Sequence, residues 1–418
     1  MKRHHRCART LSLVAALLLA SGSAGAADWI GTWSASMQAP LFGAPPTFDH
    51  VTLRQVVRIT TGGSLVRVRF SNAIGSTPFT IGAASVGVRG AGAAVRAGTL
   101  RTLTFGGEPS ITLPPGAVAL SDAVALAVAP QSDLAVSLYL PAPSPGDTQL
   151  TLSHQTSYVS TAGDFTADAT MPVASTVTSW FWLSGVEVLA GGNARAVVAF
   201  GDSITEGFNS TTDANARWPD VLARRLLAHG GTRDVAVLNE AISGNRVLND
   251  EIGPNGQKRI DRDVLTQGGL AYAILLMGTN DMGFSQIPPG AFPPGVLLTN
   301  VSADEIIAGY RQIIRRVHEA GAKVYGGTIL PFKGASYWDA GAEAKRETLN
   351  AFIRKGGAFD GVVEFDAVMR DPADPQRIRA EFDSGDHLHP NDAGYAAMGN
   401  AVDLRLFQAP PNAATPPR

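Results

Sequence analysis

Around Gly191-Gly192-Asn193 the hydrophobic pattern of this chain changes period, and the segments on either side call for different architectures. Before that point, Val66, Val68 and Phe70 alternate with Arg67 and Arg69, and Leu134, Val136, Leu138 and Leu140 alternate with Ala135, Ser137 and Tyr139. Period two marks half-buried strands. Residues 176–183, rich in β-branched and aromatic side chains, predict a further strand with Trp180 and Trp182 on one face, where core packing explains them better than a sugar-stacking platform. Gly62-Gly63, Gly106-Gly107, Pro114-Pro115-Gly116 and residues 141–146 interrupt the runs, with no amphipathic helix between them. An antiparallel β-sandwich is expected over 27–192.

After the change come short apolar runs at 196–200, 235–238, 271–277, 324–330 and 362–365. Such runs read as strands covered by helices on both faces. The clearest helix is 303–320: Ile306, Ile307, Tyr310, Ile313, Ile314 and Val317 form one stripe, Ser302 and Glu305 a capping box, and Gly321 a stop. Strands alternating with helices predict a doubly wound parallel sheet over 193–410, with ligands at the carboxyl ends of its strands. Residues 411–418 read as a flexible tail.

With 418 residues, 45% of them hydrophobic, the chain is long and apolar enough for a sizeable core, which excludes wholesale disorder. Lys2, Arg3, Arg6 and Arg9, the apolar run 11–20 and Ala24-Gly25-Ala26 read as a Sec-type secretory signal peptide over 1–26, implying a secreted or periplasmic product; the run is apolar nearly all round, against a retained amphipathic helix. Removing four positive charges from a net charge of −2 leaves −6, a balance that disfavours nucleic acid as partner. Cys7, the only cysteine, leaves with that peptide, excluding disulfides and thiolate chemistry from the mature chain. No later run of 18 apolar residues predicts a membrane anchor.

The segments after the apolar runs carry the candidate chemistry. Gly201-Asp202-Ser203-Ile204-Thr205-Glu206-Gly207 places a serine where a strand turns into a helix, so Ser203 is either a nucleophile or a helix cap. Gly244 and Asn280 follow the second and third runs; a glycine N–H and an asparagine amide there serve a developing oxyanion or a plain turn. Asp386 and His389 lie three apart, on a turn expected to enter a helix with Pro390 in its first turn, so that the carboxylate orients the imidazole of a general base. A metal on Asp386, His387 and His389 lacks companion ligands, and His387 reads as a loop residue. Asp202 and Asp281 read as loop-holding acceptors, His154 as a satisfied structural histidine, and His50, His229 and His318 as surface or interface residues. The stretch 287–296 either walls the substrate pocket or is a stiff connection.

Taken in order, Gly201-Asp202-Ser203, Gly244, Gly278-x-Asn280-Asp281 and Asp386-x-x-His389 resemble the four sequence blocks of the SGNH hydrolases, the GDSL esterase and lipase family, with Ile204 where the family has leucine. The resemblance covers about 194–407. It implies a flavodoxin-like fold, a triad of Ser203, Asp386 and His389, an oxyanion hole of the Ser203 and Gly244 N–H groups and the Asn280 side chain, and neither cofactor nor metal. Residues 29–36 and Thr52-Leu53-Arg54-Gln55 resemble the β-rich region of secreted bacterial two-domain members. The implied activity is cleavage of carboxylic esters through an acyl-enzyme, on an acetylated polysaccharide, a short acyl ester or a lipid. Acyl transfer by the same triad and an inert polysaccharide-binding protein are the rival readings.

Overall fold

The computed structural model describes residues 28–250, 252–286 and 299–408. The expected signal peptide with Cys7, the stretch 287–296 and the tail 411–418 lie outside the described residues. Residues 28–190 build three two-stranded antiparallel sheets and two large ones. One orders Asp28–Ser34, Leu183–Ala190, Gly63–Ser71 and Val124–Val128, with Val118–Leu120 also on Gly63–Ser71. The other orders Val173–Val177, Ser157–Ala162, Val51–Arg58, Asp133–Leu140, Ala83–Val88 and Arg101–Leu103. Val66, Val68 and Phe70 from the first meet Leu53, Leu134, Val136 and Leu138 from the second in one apolar core, as the alternation requires of a sandwich.

Two expectations for this half are corrected. Asp133–Leu140 is not half-exposed, for Ala135 and Ser137 are buried too. The chain at 165–169 folds over that face and is held there by Arg54, which is fully buried and donates to the carbonyls of Ala93, Phe165, Asp168 and Ala169 and to Ser137 Oγ. Residues 176–183 are not one strand: Trp180–Phe181 pairs with Gln149–Leu150, and Trp182, at φ 54°, turns the chain into Leu183–Ala190. The two tryptophans therefore share no strand face. Both are core residues, Trp180 edge-on to Trp33 at 4.8 Å and Trp182 stacked on Phe79 at 4.7 Å.

In the C-terminal half the strands β1 (Arg195–Gly201), β2 (Val235–Ala241), β3 (Leu270–Leu276), β4 (Lys323–Gly327) and β5 (Gly361–Val363) are all parallel, in the order β2-β1-β3-β4-β5. This is the flavodoxin-like order, and β1 is its switch point. Along β1, Ala196, Val198 and Phe200 share a core with α3 (Ala303–Glu319) and α4 (Ala340–Lys355), while Val197 and Ala199 face the core that holds α2 (Trp218–Ala228) and α5 (Asp392–Ala401). Continuous apolar runs are what two covered faces demand. Ser302 and Glu305 form the expected capping box of α3, and Gly321 stands beyond its end at φ 78°. Pro390 does not open α5; Asn391 caps it, accepting the N–H of Gly394 at 3.0 Å, and Pro390 precedes the cap.

The halves meet along Asp28–Ser34 and β2. Gly31 N–H donates to Gly268 O at 2.9 Å, Thr60 Oγ1 pairs with both backbone groups of Val237 at 3.0 and 3.1 Å, and Ser36 donates to Glu240 at 2.6 Å. Arg54→Ala would remove a fully buried guanidinium together with its hydrogen bonds to Ser137 and to four partly buried carbonyls. It is expected to lower the unfolding free energy by about 3 kcal/mol or more, measured by urea denaturation; a loss below about 1 kcal/mol would contradict this account of the covered face.

Candidate active site

β1 ends against β3 with no room for a side chain: a Cβ on Gly201 would lie 2.3 Å from Thr205 Oγ1 and 2.6 Å from Leu276 O. The chain then turns into the short helix α1 (Ser203–Glu206), capped by Asp202, whose Oδ1 accepts the N–H of Ile204 at 3.1 Å. Ser203 is largely buried, and its Oγ lies 2.7 Å from His389 Nε2. The far nitrogen, Nδ1, is 2.6 Å from Asp386 Oδ2. A carboxylate can only accept, so the imidazole proton sits on Nδ1 and Nε2 is left to accept from the serine hydroxyl.

Asp386 is held by more than the imidazole. Its Oδ1 accepts from the N–H groups of His389 and Leu388 at 2.8 and 3.0 Å and from Ser384 Oγ at 3.1 Å. Burial works to raise this carboxyl, yet the hydrogen bonds and charge of His389 outweigh it and hold it well below the usual carboxylate range.

Gly244 and Asn280 stand at the ends of the flanking strands, as the open-end rule requires. Gly244 has φ 75° and a Cβ there would strike Ile252 at 2.7 Å. Its turn is tied to α1 through a hydrogen bond from Ser243 Oγ to Glu206. Asn280 Nδ2 donates to Asn245 O at 3.0 Å, and its Oδ1 accepts from Tyr337 at 3.3 Å, so the amide nitrogen is turned toward the Gly244 turn. Among the described residues the N–H groups of Ser203 and Gly244 have no acceptor. Arg259 locks the arrangement from behind: fully buried, it donates to Gly201 O at 2.8 Å, Asn245 Oδ1 at 2.9 Å and Ser36 Oγ at 3.0 Å.

His387 is an exposed loop residue whose Nδ1 faces Asp383 at 2.6 Å rather than Asp386. Among the described residues no group of three or more His, Cys, Asp or Glu is arranged to hold a metal. Asp281 accepts the N–H groups of Val247 and Leu248, which makes it the loop holder expected. His50, His229 and His318 are exposed. His154 is not satisfied: its Nε2 is buried without a partner. Sequence reading missed Phe208, Asn209, Tyr337 and Arg259. Phe208 and Asn209 follow the serine motif directly, so adjacency was a usable signal, whereas Tyr337 and Arg259 lie outside every motif and reach the site only by tertiary packing.

Two carboxyls beside the serine are buried with an oxygen unpartnered, Asp202 Oδ2 and Glu206 Oε1. Burial raises Asp202 to about 7 and Glu206 to about 8, against the N–H of Ile204 and the Ser243 hydroxyl respectively. Each holds a proton in the folded chain that the unfolded chain has released, so its contribution to stability falls as pH rises from the unfolded pKa of about 4 to the folded one. His154 runs the other way: burial, then the charge of Arg217, lowers it to about 4, and its contribution is complete above about 6.5. From about pH 6.5 to 8 only the acids still change, and the thermal midpoint is expected to fall across that interval. A midpoint that rises there would contradict buried neutral acids.

Residues 199–397 match the model of the GDSL-like lipase/acylhydrolase family. No curated protein matches the chain. Similar solved structures include Est24, a carbohydrate acetylesterase from Sinorhizobium meliloti, at 18% identity and TM-score 0.37 over 50% of this chain and 95% of that one. The native aryl esterase of M. smegmatis is similar at 18% identity and TM-score 0.38, over 50% of this chain and 96% of its own. The segment that carries Ser203, Gly244, Asn280, Asp386 and His389 is thus a GDSL-like lipase/acylhydrolase domain, spanning residues 199–397 of the chain.

Proposed function

We propose that this chain is an exported serine esterase that cleaves glycan O-acetyl or short acyl esters through an acyl-enzyme. The observation that carries the reading is the unbroken line from Ser203 Oγ through His389 to Asp386, at 2.7 and 2.6 Å. His389 Nε2 takes the hydroxyl proton as Ser203 Oγ attacks the ester carbonyl carbon. The carbonyl oxygen, now an oxyanion, accepts from the N–H groups of Ser203 and Gly244 and from Asn280 Nδ2. Collapse breaks the bond to the leaving alcohol, which takes the proton from His389; water then attacks the acyl-enzyme, giving its proton to His389, which passes it to Ser203 Oγ as the acid is released. Asp386 stays ionised throughout and keeps the imidazole in its productive tautomer. Export rests on the first 26 residues of the sequence, and the glycan or short-chain preference on export together with the β-rich half.

Ser203→Ala is expected to abolish hydrolysis of a chromogenic acetate ester while the circular dichroism spectrum is retained; full turnover by the folded variant would refute the mechanism. Beside that control, a panel of acyl chain lengths and acetylated xylan is expected to give its highest kcat/KM on acetyl or other short acyl groups. Release of long-chain acids in preference would overturn the substrate assignment, and mostly transferred acyl product with a competing alcohol would make the enzyme a transferase. Tyr337→Phe keeps the ring but frees Asn280 Oδ1, and kcat is expected to drop roughly three- to tenfold with little change in KM, the size of one lost hydrogen bond. An unchanged kcat would show that Asn245 alone orients the amide.

A further inference from the structure

Directly after α1, the chain makes a connector, residues 207–217, that touches the remaining members of the Ser203–His389–Asp386 line. Phe208 packs against the His389 ring with centroids 4.4 Å apart and planes tilted by 44°, and its N–H is fixed to Ser203 O at 3.0 Å. Asn209 Nδ2 donates to Ser384 Oγ at 3.0 Å and reaches Asp386 Oδ2 at 3.4 Å. Thr211 N–H donates to Asp392 at the start of α5 at 2.9 Å.

The other side of the connector is tied to the β-rich half, with Arg224 of α2 also donating to Asn215 O at 2.9 Å. Asp213 accepts from the N–H of Thr156 and from Thr156 Oγ1, both at 2.7 Å, and from Gln155 Nε2, while its own N–H donates to His154 O at 3.0 Å. Arg217 donates to Ser153 O, and its stem packs so tightly on Gly207 that a Cβ there would lie 2.4 Å from it. The His154 ring stands edge-on to Phe208 at 6.5 Å. Eight non-glycine residues among those described have positive φ, and four of them, His154, Asn209, Asp213 and Asn215, fall on this junction. Unfavourable backbone of that kind persists where neighbours over-determine it, and it concentrates at functional sites.

We propose that Asp213 is a positioning residue, through which segment 153–156 of the β-rich half sets Phe208 against His389 and so completes the active site. The proposal rests on the reading of Ser203, Asp386 and His389 as the triad. It gives the N-terminal half a part in the chemistry besides any role in substrate capture: His389 is packed by a ring whose own position is set from the other half of the chain.

The test uses the full-length protein on a chromogenic acetate ester, with active sites counted by phosphonate titration and the low-field Nδ1 proton of His389 followed by NMR. Asp213→Ala is expected to lower kcat per titrated site roughly 10- to 100-fold with KM within about twofold, the scale set by a displaced catalytic group, and to broaden the Nδ1 resonance by exchange. Asp213→Asn keeps an acceptor oxygen for Thr156 and is expected to stay within about threefold of the parent. Phe208→Leu is expected to reproduce the kcat loss with every Asp213 contact intact, and it decides the matter if Asp213→Ala does not fold. Parental kcat per site in Phe208→Leu, or a loss in Asp213→Ala accounted for by fewer titratable sites, would overturn the proposal. Activity surviving in Ser203→Ala would instead overturn the triad on which it rests.

Discussion

The hydrogen bond from Ser203 to His389 joins groups 186 residues apart, and most of the fold can be understood as what brings them to 2.7 Å. Ser203 is fixed by the end of β1, where Gly201 admits no side chain, and by the Asp202 cap. His389 is fixed by Asp386 and by the turn that Asn391 then converts into α5. Both ends rest on the same sheet because β1, at the switch point of the order β2-β1-β3, leaves a crevice into which the loops after β1, β2 and β3 all open.

Behind that crevice the chain spends polar groups freely. Arg259 ties Gly201, Asn245 and Ser36, so one guanidinium spans the end of β1, the Gly244 turn and the β-rich half. Glu240 sits in the same network, raised by burial and then by the charge of Asp263. A buried, fully donating guanidinium is costly to desolvate and costlier still to leave half satisfied. It fixes one relative placement of the site's loops, which a purely apolar contact would leave free to slide.

How much of this was legible follows from what each signal encodes. Period two in Gly63–Ser71 and the contiguous runs of β1 to β3 report burial, and burial was read correctly there, as one covered face in the first and two in the others. It failed at Asp133–Leu140 because Arg54 draws a loop over the second face, a contact with a partner over a hundred residues away. It failed at 176–183 because β propensity says nothing about the φ 54° turn at Trp182 that divides those residues among sheets. The candidate site was legible where its residues sit in short local patterns, as at Ser203 and at Asp386 with His389. Tyr337 and Asp213 were not, since an orienting contact leaves no local pattern.

The central claim is that Ser203 forms a covalent acyl intermediate. The most direct measurement is mass spectrometry of the chain acid-quenched during turnover of an activated acetate ester, followed by peptide mapping. The account predicts one acetyl adduct on the peptide that holds Ser203, appearing within the first turnover and decaying as substrate is exhausted. An adduct elsewhere that forms and decays at the catalytic rate, with Ser203 unmodified throughout, would contradict it.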